Sequence, residues 1–193
     1  MNRTLNYHIA TEDAGRKIGE FLRKRGYSRH VIIHLKKTEH GILLNGEWAY
    51  VGQILKEGDL LEIYIIEEEA SDQIVPRELP LDIVYEDEDL MVINKPADMP
   101  IHPSINNYDN TLANALMWYF KKQGESFVYR CINRLDRDTT GLLIVAKNML
   151  SGGILSDMSK NREIHREYLA LAEGEVPESG VIDAPIARKE ESV

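Results

Sequence analysis

The chain has 193 residues, 43% of them hydrophobic, one cysteine and a formal net charge of −9. That length suits one ordinary domain plus a small one with a real core. The lone Cys131 excludes an internal disulfide, no apolar run approaches membrane-spanning length, and Met1-Asn2-Arg3-Thr4 lacks the apolar core of a secretion signal, so a globular, cytoplasmic protein off the membrane is expected.

The total charge hides an uneven distribution: residues 1–66 carry a net +2 and residues 67–193 a net −11. Between Arg16 and Lys37 eight basic residues (Arg16, Lys17, Arg23, Lys24, Arg25, Arg29, Lys36, Lys37) stand against one acidic residue, more than solubility needs, which is an electrostatic footprint for a polyanion. Ile18, Phe21 and Leu22 recur at helical spacing; after Gly26-Tyr27, Ser28 can cap a second helix whose inner side carries Val31, Ile32 and Leu35. Then come Ile42-Leu43-Leu44 before an Asn45-Gly46 turn, and, after Gly58-Asp59, an alternating strand from Leu61 to Ile65. His30 and His34 lie one helical turn apart, but nothing else metal-like accompanies them, so RNA phosphate contact or plain exposure is expected and no metal.

Residues 67–79 lose periodicity and gather Glu67-Glu68-Glu69, Ser71, Asp72 and Pro76, which reads as an exposed linker between domains free to move. Beyond it, the acidic run Glu86-Asp87-Glu88-Asp89 joins strand Ile83–Tyr85 to strand Leu90–Ile93 and is expected to be a solvated hairpin turn without metal. A helix is expected from Thr111 to about Gln123, strands at Val128–Ile132 and Leu142–Ala146, a helix from Leu150 to Lys160 weakened by Gly152-Gly153, and a strand from Arg166 to Ala172. Cys131 is expected to pack as a small hydrophobe.

Asn133-Arg134-Leu135-Asp136-Arg137-Asp138-Thr139-Thr140-Gly141 lies between two apolar segments, so it must be a loop fixed by rigid elements. Asp136, flanked in sequence by Arg134 and Arg137, is expected to stay ionised, and a positioned carboxylate can attack carbon or abstract a proton. An Arg–Asp network that only staples the turn is the alternative; in either case the Thr hydroxyls would bond local backbone and Gly141 would take a positive φ.

This stretch resembles the catalytic motif of the RluA-type (RluD-like) pseudouridine synthases, and the resemblance extends to Leu79–Asp87, to Asn94-Lys95-Pro96 with His102-Pro103, to Val145–Asn148 and to Arg166–Leu171. Two positions depart from the family's usual pattern: Asn133 stands in place of His, and Asp98 in place of Gly. Residues 1–66 resemble the RNA-binding domain named after ribosomal small-subunit protein four. The resemblance implies an α+β protein: a helical pair plus hairpin over 1–66, a linker over 67–79, and a mainly antiparallel sheet with flanking helices over 80–193. It implies isomerisation of uridine to pseudouridine in RNA, ribosomal rather than transfer RNA, by a monomer that needs no cofactor. Asp136 would be the catalytic carboxylate, as nucleophile or as base; Arg134 would fill the space of the flipped base, and Tyr168 would lie against the uracil. Lys95 and His102 are read as structural markers. Further strands of the family's sheet, expected after Arg188, do not occur before Val193, so little activity is expected of these residues alone. A non-catalytic RNA-binding protein is the competing reading; a glycoside hydrolase is weaker, since Asp138 is the only nearby second carboxylate.

Overall fold

The computed structural model describes residues 2–67, 71 and 73–187. The chain opens on strand β1 (Arg3–His8), which sequence reading had missed because only Leu5 and Tyr7 mark its inner face. It forms because every residue pairs antiparallel with β4 (Leu60–Ile65), from Arg3↔Ile65 to His8↔Leu60. Helices α1 (Ile18–Lys24) and α2 (Arg29–Lys37) follow as expected, and the Ser28 hydroxyl accepts the Val31 amide at 3.3 Å to cap the second. Strands β2 (Ile42–Leu44) and β3 (Glu47–Trp48) are joined through Asn45 and Gly46 at φ 54° and 81°, the left-handed pair of a type I′ hairpin turn. The expected hairpin is thus a four-stranded sheet, ordered β1-β4-β2-β3, on which Ile18, Phe21, Leu22, Val31 and Leu35 of the helices pack.

The second half is a three-stranded antiparallel sheet, β5 (Ile83–Glu86), β6 (Leu90–Lys95) and β7 (Gly141–Ala146), in that order. Helix α3 (Leu112–Lys122) supplies Leu112, Leu116 and Phe120 to a core with Met91, Ile93, Leu143 and Val145, and α4 (Met149–Lys160) follows β7. Thr111 and Asn114 cap α3 reciprocally, and buried Asn114 also donates to the Val75 and Tyr108 carbonyls. The architecture is α+β.

Four expectations need correction. Val128–Ile132 is not a regular strand; it runs beside β7 through Ile132 N–H to the Ile144 carbonyl (2.8 Å), Ala146 N–H to the Arg130 carbonyl (2.9 Å) and a Cys131↔Val145 bridge. Arg166–Ala172 carries no strand, and Leu169 and Leu171 are fully exposed. Nor is the 67–79 segment simply exposed: Glu67 is buried, Tyr129 N–H donates to the Ser71 hydroxyl, and Ile74 packs on the second core; Glu68, Glu69 and Asp72 lie outside the described residues. The acidic turn is not merely solvated either. Asp87 accepts the Asp89 and Leu90 amides at 2.8 Å each, which holds its carboxyl below the usual range, while Glu86 pairs with Lys147 and both Glu88 and Asp89 with Arg3. The helix expected from Leu150 to Lys160 forms as α4, running through Gly152-Gly153. A Cβ on Gly152 would meet Arg130 Cδ at 3.0 Å, so the glycine makes room for that side chain.

Candidate active site

The loop carrying Asp136 is held at both ends by backbone-directed side chains. Asn133 donates its amide to the Leu142 carbonyl (3.2 Å) and accepts the Ile144 amide (2.9 Å), replacing a rung of β ladder where the chain leaves β7. On the other side, Lys95 takes the inward register of β6 with Met91 and Ile93, and it is fully buried. Its ammonium donates to three carbonyls, Pro96 (2.7 Å), Met99 (3.0 Å) and Arg137 (2.7 Å), so one buried cation ties the 96–99 turn to the Asp136 loop. Burial lowers its pKa from the ordinary lysine value, and the nearby negative charges of Asp138 and then Asp136 act the other way.

Asp98 lies in that turn at φ 58°, a left-handed geometry that glycine takes most readily and that Asp tolerates better than most residues. Its carboxylate takes the Arg137 guanidinium, with Nε at 2.6 Å. This overturns the expected electrostatics of the loop: among the described residues neither Arg134 nor Arg137 forms an ion pair with Asp136. The turn itself closes through Thr139 N–H to the Asp136 carbonyl (3.2 Å), not through the threonine hydroxyls, and Gly141 has the positive φ expected of it, 119°.

Asp136 and Arg134 are both exposed, and Arg134 lies near enough to His102 for its charge to act on that ring. The His102 ring meets Tyr129 edge to face at 5.2 Å, and desolvation, then the Arg134 charge, lowers its pKa. Next to the loop opens a cleft of about 900 Å³ lined by Asn133, Leu135, Asp138, Thr139 and Tyr168 among others. The structure therefore brings Tyr168 to the loop's Asp138–Thr139 side but does not seat Asp136 or Arg134 in the same lining, and Tyr168 is 61% exposed. Cys131, beneath the loop, donates its thiol to the Asn133 carbonyl at 3.1 Å, and burial pushes its pKa up to about 11, the behaviour of a packed thiol and not of a nucleophile.

On the N-terminal unit all eight cluster cations are exposed, but they are not equivalent. Arg16 (3.4 Å), Lys24 (3.2 Å) and Arg25 (3.0 Å) converge on the carboxylate of Asp13, which is 2% exposed, and the Arg25 guanidinium also stacks on Phe21 at 4.1 Å. Lys17, Arg23, Arg29, Lys36 and Lys37 form no ion pair among the described residues. Sequence reading overlooked Asp13, whose signal was one carboxylate just ahead of a basic stretch. His34 Nε2 lies 2.8 Å from the Ile66 carbonyl, a structural contact, and no group of three potential metal ligands occurs among the described residues.

The RNA pseudouridylate synthase family matches residues 89–193. The uncharacterized RNA pseudouridine synthase YjbO of Bacillus subtilis (strain 168) is 34% identical over 177 residues, 91% of this chain and 62% of that protein. Ribosomal large subunit pseudouridine synthase D of Escherichia coli (strain K12) is 46% identical over 123 residues, 64% of this chain and 37% of that protein. The solved structure of human RNA pseudouridylate synthase domain containing 1 overlaps 50% of this chain and 31% of its own, at 30% identity and a TM-score of 0.35. The chain belongs to the RNA pseudouridylate synthase family. It spans less than two thirds of the length of either curated relative.

Proposed function

We propose that this chain carries the catalytic loop of a synthase that isomerises uridine to pseudouridine in large-subunit ribosomal RNA. The observation that carries the reading is an exposed Asp136 on a family-matched loop fixed from both sides by Lys95 and Asn133. A stacked uracil is out of reach of any side chain, so the nucleotide is extruded, at about a few kcal/mol and less from a single-stranded loop. Asp136 then acts on the flipped nucleotide as nucleophile or as base. Arg134, exposed beside it, stacks into the gap left in the RNA, its planar guanidinium serving as a base mimic. Tyr168 lies against the uracil with its hydroxyl near the reacting carbon. The reaction is redox-neutral and the detached base stays in the pocket, so no cofactor is required.

In this reading residues 1–66 are an RNA-binding domain of the ribosomal-protein-four kind, residues 67–79 connect it, and residues 80–193 belong to the synthase domain, the whole acting as a cytoplasmic monomer. Residues 1–193 alone are proposed to turn over little, because Tyr168 is exposed and its segment unpaired in a sheet.

The test is release of tritium from carbon 5 of labelled uridine in structured ribosomal RNA, with the full-length protein and its Asp136→Asn variant. The variant is expected to bind RNA and release no tritium; release at the unaltered rate would overturn the role of Asp136.

A further inference from the structure

On the edge of the N-terminal sheet three aromatic rings stand in a row with their faces open. His40 and Trp48 have ring centroids 5.4 Å apart, and Trp48 and Tyr50 are 6.2 Å apart with planes inclined by only 21°. Trp48 is 47% and Tyr50 68% exposed, and the His40 side chain is 62% exposed. Local geometry puts them there. β3 is the outermost strand, Trp48 pairs with Leu43 just after the tight Asn45-Gly46 turn, and His40 is held at φ 54° as the chain leaves α2. Large rings left in water at an edge strand are unfavourable unless something covers them.

The surroundings say what fits. His40 also lines a cleft of about 830 Å³ together with Lys37 and His30, so the row of rings runs into the cationic end of α2. Lys36 and Lys37 are exposed there and unpaired among the described residues, and the exposed Glu39 carboxylate, 3.8 Å from the His40 ring, lines the same cleft. Nearly parallel rings offer π faces to flat ligands, while neighbouring cations offer partners for a sugar–phosphate chain, the combination that holds unpaired nucleotides. Duplex RNA would present phosphates but keep its base faces stacked and unavailable.

We propose that Trp48 and Tyr50, with His40, form a stacking platform for two or three unstacked nucleotides of single-stranded RNA, whose phosphates run toward Lys37. The proposal rests on reading residues 1–66 as RNA-binding, and it adds a preference for unpaired over double-stranded RNA at a surface separate from the catalytic loop.

The chain has two tryptophans, so a Trp118→Phe background leaves Trp48 as the only indole reporter. Emission is followed while this protein is titrated with a ten-nucleotide oligouridylate and with a blunt RNA duplex of equal length. Quenching by the single strand and not by the duplex is expected. Trp48→Ala and Tyr50→Ala, both exposed and so tolerable to the fold, are compared with the unsubstituted chain by filter binding of the same RNAs, which needs no indole, and are each expected to weaken single-strand binding roughly 5- to 100-fold with an unchanged salt slope. Lys36→Ala with Lys37→Ala should instead flatten the slope. Unaltered affinity in Trp48→Ala, equal quenching by duplex, or quenching that follows protein concentration without RNA would overturn the platform. If the lysine variants lose binding and Trp48→Ala does not, the platform alone falls; if no form binds RNA, the RNA-binding reading falls with it.

Discussion

Asp13 shows how a single buried side chain changes the meaning of a charge count. Its carboxylate gathers Arg16, Lys24 and Arg25, so three of the eight cluster cations are held in a fixed array. Removing a negative charge from a basic surface should by simple electrostatics strengthen attraction to RNA. Asp13→Asn is expected to do the reverse, weakening RNA binding a few-fold as the cations lose their common anchor, and lowering stability by about 1.5–3 kcal/mol, the worth of a hydrogen bond to a charged group. Filter binding and urea unfolding check the two effects, and tighter binding in the variant would refute the anchoring role. Cys131 makes a pH prediction. Its thiol titrates near 11 in the folded chain against 9 when free, so at pH 8 about a hundredfold less thiolate is present and alkylation by iodoacetamide is expected to be slower by that factor. Because the unfolded thiol ionises first, the folded state loses stability as pH rises from about 9 to about 11. Alkylation at the rate of free cysteine would show that Cys131 is not packed as described.

At the scale of elements, the loop between Asn133 and Thr140 works only if β6 and β7 hold it still. Asn133 does this with two hydrogen bonds to β7, which a shorter side chain cannot make. Asn133→Ala is expected to lower turnover in the full-length protein by about 10- to 100-fold, the scale on which a small misplacement of a catalytic group acts, with little change in KM. Unchanged turnover would mean that Lys95 alone fixes the loop. The Asp98–Arg137 pair is exposed at both ends, and such a pair contributes little to stability. What it decides is the partner of Arg137, whose guanidinium pairs with Asp98 and Asp138 and not with Asp136.

Across the whole molecule the two halves meet through a buried seam. The Glu67 side chain is 5% exposed and accepts from the Arg130 guanidinium and, at 3.0 Å, from the Met149 amide. Leu150 of α4 enters the N-terminal core, Gly26 gives Ile154 its space, and Arg3 reaches Glu88 and Asp89. Domains joined this way do not swing freely about the 67–79 segment. Arg130→Ala leaves the buried Glu67 charge without its guanidinium and is expected to cost about 3–5 kcal/mol. Urea unfolding followed by circular dichroism measures this, and a loss below about 1 kcal/mol would mean that the seam contributes nothing of substance.

Patterns of period 2 and 3.6, the Ser28 and Thr111 caps and the Asn45-Gly46 turn are local, so the sequence by itself determined α1, α2, α3, the hairpins, the α+β class and, through its motif, the loop to inspect. What it could not contain is which groups meet across space. β1 exists through its pairing with β4; Arg166–Ala172 forms no strand; Lys95 is a buried anchor because β6 points it inward; and Arg137 serves Asp98 and, at 4.0 Å, Asp138, but not Asp136. Local periodicity follows from bonds and sterics along the chain, whereas partner choice depends on long-range packing, and that only the tertiary structure decided.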